Sequence, residues 1–331
     1  MKPRVLSGMR PTGALHLGHY HGALKNWVRL QDEFDCHYFV ADWHALTTHY
    51  ADHADLERNV YDMVVDWLAA GIDPERATLF IQSRLPEHAE LFTLLAMGTP
   101  LSWLERVPTY KDQLANPAGR DLATFGFLGY PLLQAADILI YKAAFVPVGG
   151  DQAPHVEITR EVARRFNHLY GRGEVVLPEP ATLLTETSRL PGLDGAKMSK
   201  SADNAIAMRE APAEVERKVR RMQTDPDRVR RTDKGDPNRC PVWQFHQLYS
   251  DADTQAWVTK GCTTAGIGCL ECKQPVIDAI VREQQPWRER AEAYLSNPKQ
   301  VQWIVEVGTE QARGVARRTM RDVRAAMGLV Y

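Results

Sequence analysis

The chain has 331 residues, of which 44% are hydrophobic and 25% charged. That length predicts two unequal domains rather than one core, and the composition excludes disorder, collagen and coiled coil as the main architecture. With 40 Lys+Arg against 42 Asp+Glu the net charge is −2, which argues against a general nucleic-acid coat but allows a discriminating protein with local basic patches.

Arg4-Val5-Leu6-Ser7 reads as a first strand. The stretch before Gly8 is too short for the apolar core of a leader, and no apolar run reaches bilayer length, so a cytoplasmic protein is expected. After a turn at Pro11-Thr12-Gly13, Tyr20, Ala23, Leu24, Trp27 and Val28 recur at helical spacing. Residues 37–41 and 78–82 read as further buried strands, separated by a helix through Leu56, Val60, Met63, Val64, Trp67 and Leu68 that Gly71 and Pro74 stop. Residues 83–129 read as an irregular insertion, Pro131 to Lys142 as a helix, residues 145–148 as a short strand, and Ile158, Val162, Ala163, Phe166 and Leu169 as another helix. Strands alternating with helices imply βαβ units, hence an α/β fold with a parallel, Rossmann-like sheet. From about residue 205 the strand signal fades and charged helical segments take over, at 213–222 and 311–327 among others. The expected division is a catalytic domain over 1–205 and an all-helical domain over 206–331.

Two motifs carry chemistry. Gly13-Ala14-Leu15-His16-Leu17-Gly18-His19 lies between the first strand and the first helix, where an α/β sheet binds ligands and helix amides favour phosphate. His16 and His19 can donate to phosphate oxygens across Gly18, although a bare His-x-Gly-His also fits a helix cap with two surface histidines. Far downstream, Lys197-Met198-Ser199-Lys200-Ser201 follows the flexible lead-in Pro191-Gly192-Leu193-Asp194-Gly195. Two lysines flanking small hydroxyls grip polyphosphate and follow charge onto a leaving group; a solvated loop is the plainer alternative.

Cysteine usage adds a third signal. Four of the five cysteines follow the pattern Cys240-x21-Cys262-x6-Cys269-x2-Cys272, and a reducing compartment argues for a metal site rather than disulfides. Four thiolates suit zinc or an iron–sulfur cluster, and the residues themselves leave both open. Cys36 reads as core. Local positive charge lies in the same half of the chain, with eight Lys/Arg against five Asp/Glu over 214–235 and five Arg against one Asp over 311–331. Trp243, Phe245 and His246 are candidates to stack on an unpaired base.

Taken together, the His-rich turn and the lysine loop resemble the two signatures of class I aminoacyl-tRNA synthetases. Within that class the chain is most similar to the bacterial tryptophanyl-tRNA synthetases. The resemblance runs nearly end to end, through residues 7–13, Val40-Ala41-Asp42-Trp43-His44-Ala45, Leu104-Glu105-Arg106, Tyr130-Pro131, residues 135–139, Val146-Pro147-Val148-Gly149 and Asp151-Gln152.

The resemblance implies a helical anticodon-binding domain, a homodimer, and activation of L-tryptophan by ATP with Mg²⁺ on the phosphates, followed by transfer to tRNA(Trp). It places ATP across Arg10, Pro11, Thr12, Gly18, His19, Gly149, Gly150, Asp151 and Leu190, with Lys197, Met198, Ser199, Lys200 and Ser201 over the phosphates. His16, His19, Lys197 and Lys200 are the expected catalytic donors. Indole carries one N–H donor, so an apolar slot needs one acceptor. Asp137 is the expected partner, with Tyr130, Gln134, Gln152 and His44 around the substrate and Leu6, Gly8 and Val148 as walls.

Two departures stand out. Many bacterial tryptophan enzymes carry Met where this chain has Gln134, and Tyr-x3-Gln-x2-Asp also resembles the pocket helix of the tyrosine enzyme. The family usually has Glu where this chain has Gly150. A subset of the tryptophan enzymes holds a [4Fe–4S] cluster on cysteines of almost the spacing seen here, with a first gap one residue longer. The resemblance therefore implies that cluster, on Cys240, Cys262, Cys269 and Cys272.

Overall fold

The structure, a computed structural model, describes residues 2–108, 110, 123–148, 153–184, 190–199 and 202–331. Its centre is a five-stranded sheet in the order β3-β2-β1-β4-β5, formed by β1 (Arg4–Met9), β2 (Asp35–Val40), β3 (Ala77–Ile81), β4 (Phe145–Val148) and β5 (Ala181–Leu184). Every pairing is parallel, as the alternation of strands and helices requires. The α/β expectation therefore holds. Strand β5 is absent from the sequence reading because it is a short edge strand with little burial and no apolar alternation.

Side chains alternate between two cores on opposite faces of the sheet. Val5, Tyr38, Val40, Leu79 and Ile81 point into one core, with Trp27, Trp67 and much of the C-terminal region. Leu6, Phe39, Ala41 and Phe80 point into the other, with Leu132, Ala135 and Phe166.

The helix after β1 starts with one α turn, Leu17–His19, and continues through a π-helical turn, Tyr20–Leu24, into Lys25–Leu30. The Leu56–Ala70 helix ends at Gly71, as its stop signal predicts. The segment read as an irregular insertion is partly helical, with helices Glu87–Ala96 and Leu101–Glu105. The helix expected from Pro131 begins earlier and spans Phe125–Ile140. The Thr124 side chain caps it by accepting from the Phe127 N–H, and Pro131 sits inside, where its missing N–H forfeits a bond to the Phe127 carbonyl.

The C-terminal region is helical, with helices Pro212–Arg221, Pro241–Tyr249, Ala252–Thr263, Cys269–Leu295 and Pro298–Met327. The last helix returns to the sheet. Its first half places Val301, Ile304 and Val305 in one core, and its second half places Ala312, Ala316, Met320 and Val323 in the other. It passes from face to face beside β3, where Gly308 lies against the backbone of Leu79. Among the described residues, no helix is long and apolar enough to cross a membrane.

The basic stretches are less free than composition implies. Arg217 pairs with Glu214, Lys218 with Glu210, and Arg220 with Glu216. Arg317 and Arg324 reach Glu87 and Glu90. Much of the local positive charge is thus paired, within the Pro212–Arg221 helix and just before it, and between the last helix and the Glu87–Ala96 helix. Phe245 and His246 are fully buried, so they cannot stack on a base in this fold; Trp243 is half-buried.

Candidate functional site

A cavity of about 880 Å³ opens beyond the carboxyl ends of β1, β2 and β4. In the order β3-β2-β1-β4-β5 the chain direction of winding reverses between β1 and β4, and ligands of open α/β sheets bind at such a switch point. Of the residues singled out from the sequence, Gly8, Arg10, His16, Gly18, His19, His44, Tyr130, Gln134, Asp137, Val148, Leu190, Lys197 and Met198 all line it. Pro11, Thr12 and Ser199 stand next to lining residues without lining it themselves. Gly149, Gly150, Asp151, Gln152, Lys200 and Ser201 lie outside the described residues.

The His-rich turn is joined through the backbone to the segment that follows the lysine loop. Leu17 N–H donates to the Ile206 carbonyl at 3.0 Å, and Met208 N–H donates to the Leu15 carbonyl at 2.8 Å, so His16 and Ala207 form an antiparallel bridge. Asp66 locks this join. Its buried carboxylate accepts from Leu15 N–H at 3.1 Å and from Arg209 Nε at 2.5 Å. Burial still raises its pKa overall, against the lowering by Arg209. Within the turn, the His16 and His19 rings stack with centroids 3.6 Å apart, and His16 N–H donates to His19 Nδ1 at 3.2 Å.

At the floor of the cavity Asp137 is completely buried. His44 Nε2 donates to it at 2.7 Å, His88 Nδ1 at 2.6 Å, and Gln82 Nε2 reaches its two oxygens at 2.9 and 3.0 Å. Burial alone pushes this carboxyl up; the hydrogen bonds and charges of His44 and His88 outweigh it and hold the pKa below the ordinary carboxylate value. On its other side His88 Nε2 hydrogen-bonds the Tyr141 hydroxyl at 2.7 Å. The carboxylate therefore stays ionised in an apolar floor. Gln82 and His88 were not visible as site residues in the sequence. His155, whose ring lies 5.6 Å from that of Tyr130, also lines the cavity and was missed.

A second, small cavity of about 20 Å³ lies in the helical region and is ringed by Cys240, Cys262, Cys269 and Cys272, with Asp225, Arg228 and Lys273 beside them. Burial and the neighbouring cysteines push the Cys272 thiol up to about 12. The buried guanidinium of Arg228 donates from Nη1 to Cys262 Sγ at 3.8 Å and from Nη2 to the Ile267 carbonyl at 2.6 Å, and its Nε has no partner. Lys273, also buried, donates to the carbonyls of Arg220 and Met222. Among the described residues, no three His, Cys, Asp or Glu side chains converge tightly enough to form a ready single-ion site.

A switch-point cavity joining a His-rich turn to a lysine loop defines a nucleotide-activating enzyme of the synthetase type. The chain belongs to the class I tRNA synthetases of the W and Y family, whose model matches residues 1–283. It is 59% identical to the tryptophan–tRNA ligase of Ralstonia nicotianae over 395 residues, covering 99% of both chains, and 52% identical to that of Thermotoga maritima over 330 residues, covering 99% of this chain and all of the relative. Among solved structures, the tryptophanyl-tRNA synthetase of Campylobacter jejuni complexed with ADP and tryptophan superposes with a TM-score of 0.87 at 32% identity, over 98% of this chain and all of the other.

Proposed function

We propose that this chain is a tryptophan–tRNA ligase, which joins L-tryptophan to ATP as tryptophanyl-adenylate and then transfers the acyl group to tRNA(Trp). One observation carries the reading: the His-rich turn, Lys197 and the ionised Asp137 face a single cavity. The high identity to ligases along their whole lengths supports it.

In the first step the tryptophan carboxylate attacks the α-phosphorus of ATP in line and pyrophosphate leaves. The carboxylate is already ionised near neutral pH, so no general base is required. Catalysis is positioning plus stabilisation of charge on the phosphoryl group and leaving pyrophosphate. His16, His19, Lys197 and Lys200 are the donors in this reading, with Mg²⁺ carried on the phosphates. Arg10, Gly18, Leu190 and Met198 bound the nucleotide, joined by Pro11, Thr12, Gly149, Gly150, Asp151, Ser199 and Ser201.

Tryptophan lies against Gly8, His44, Tyr130, Gln134, Val148 and Gln152, with its indole N–H toward Asp137. Four lone-pair directions on that carboxylate are already engaged. The Gln82 contact is shared between both oxygens and is the one the indole N–H displaces at least cost.

Two observations support a metal core here: the four cysteines ring one cavity, and the buried Arg228 beside them has no partner on Nε. In this reading Cys240, Cys262, Cys269 and Cys272 hold a [4Fe–4S] cluster, with zinc as the alternative occupant. When bound, such a core supplies a covalent cross-link among three helical segments. We further assign residues 1–205 to catalysis and residues 206–331 to tRNA binding, in a cytoplasmic homodimer.

Tryptophan-dependent ATP–pyrophosphate exchange tests the enzyme reading. Exchange with tryptophan and none with tyrosine is expected; exchange with tyrosine instead would reassign the pocket. Absorbance at about 400 nm in anaerobically purified protein tests the metal reading, because iron–sulfur clusters absorb there and zinc does not. A colourless protein with one zinc per chain would remove the cluster.

A further inference from the structure

The lysine loop is built around one side chain outside the motif. Asn204 is buried, 3% exposed, in an otherwise polar and largely exposed segment. Its Nδ2 donates to Asp194 Oδ1 at 2.8 Å and to the Lys197 carbonyl at 3.1 Å. Its Oδ1 accepts from Ser199 N–H at 2.7 Å, and its backbone carbonyl accepts from Leu193 N–H at 2.9 Å. The amide thus uses both donors and its acceptor inside the loop. The Lys197 carbonyl and the Ser199 amide bracket Met198, whose side chain is buried in the core beneath the loop. Gly192 leaves room for the amide: a Cβ there would stand 2.3 Å from Asn204 Nδ2. The hydrogen bond from Asn204 also holds the exposed Asp194 carboxyl below its ordinary range.

We infer that Asn204 is a positioning residue for adenylate formation, holding the Lys197–Ser199 backbone in the one path that turns the exposed Lys197 side chain toward the nucleotide cavity. Its hydrogen bonds all go to the loop segment from Leu193 to Ser199, so its effect falls on the phosphate side of the reaction. The inference rests on the reading of Lys197 as a phosphate donor. A short side chain with two donors and one acceptor is required here. Alanine offers none of them, and aspartate keeps the acceptor while setting a second carboxylate beside Asp194.

The experiment is a double-mutant cycle in pyrophosphate exchange on the full-length enzyme, with Lys197→Ala, Asn204→Ala and the pair. Asn204→Ala is expected to lower kcat for adenylate formation by about 100-fold, the scale of losing one preorganised transition-state donor, with the KM for tryptophan unchanged. The double variant is expected to be no slower than Lys197→Ala alone, because both changes remove the same contribution. Losses that multiply, or an Asn204→Ala enzyme with wild-type kcat, would overturn the inference. A Lys197→Ala enzyme with undiminished exchange would instead refute the phosphate-donor reading itself. Should Asn204→Ala not fold, Asp194→Ala at the loop surface carries the test. A several-fold fall in kcat at constant tryptophan KM supports the positioning role, and an unchanged kcat overturns it.

Discussion

Replacing Asp137 with alanine is expected to abolish tryptophan-dependent exchange and to destabilise the fold by about 3–5 kcal/mol, the range for removing one partner from a buried charged pair. The carboxylate is the common acceptor for His44, His88 and Gln82, which come from three different elements of the chain. Without it, three buried donors face an apolar floor. Asparagine in its place would restore shape but present an amide donor toward donors, so Asp137→Asn should recover part of the stability and little of the activity. Urea unfolding and exchange measured on both variants separate the two effects.

The pH dependence of stability follows from the same network. The folded carboxyl titrates below the unfolded one, so its contribution is fully present at neutral pH and is lost as pH falls through the carboxylate range. That part of the acid-side slope should be missing from Asp137→Ala. A loss under about 1 kcal/mol, no more than one ordinary hydrogen bond contributes, would show that the three donors find other partners.

The second large effect is expected at Gly308. A Cβ at this position would lie 1.9 Å from the Leu79 carbonyl oxygen and 2.9 Å from its nitrogen. Both atoms are main chain in β3, so no side chain can move aside. Gly308→Ala must push the last helix off the sheet, and overpacking of this kind costs about 1–3 kcal/mol or more. Because that helix is anchored in both cores, the shift is expected to loosen Val305 on one face and Ala312 on the other. Thermal unfolding should show a markedly lower Tm for Gly308→Ala and a near-native Tm for Gly314→Ala, whose Cβ would meet only the far end of Arg318. Equal Tm values would mean that the helix does not bear on β3.

Local patterns carried most of what was legible in the sequence. The strands of the sheet other than β5 announce themselves as short apolar runs, and β5 does not because an edge strand buries little. The His-rich turn and the lysine loop each lie within a few consecutive residues, so their chemistry was readable. The floor of the cavity was only half readable. Asp137 falls on a recognisable helix, but His88 and Gln82 reach it from about fifty positions away, and nothing in their own neighbourhoods marks them. Asn204 was invisible for a similar reason, since one asparagine in a polar loop looks like solvent-exposed chain until the fold buries it. Of the stacking candidates Trp243, Phe245 and His246, the structure removes Phe245 and His246. Val242, Phe245 and His246 recur at i, i+3 and i+4, which is the spacing of a helix face turned inward, and the structure buries all three. The basic stretches misled as well, because composition counts charges without their partners.

The bridge between His16 and Ala207 closes the chain on itself. Everything from the first helix to the lysine loop is a single long excursion whose two ends are buttoned together at the nucleotide cavity by a pair of main-chain hydrogen bonds. That button holds the His-rich turn against the chain a few residues beyond the lysine loop. Closing a longer excursion costs little more than closing a shorter one, about 0.6 kcal/mol for each doubling of length. Surface loops within the excursion can therefore lengthen at little entropic cost while the bridge stays in register.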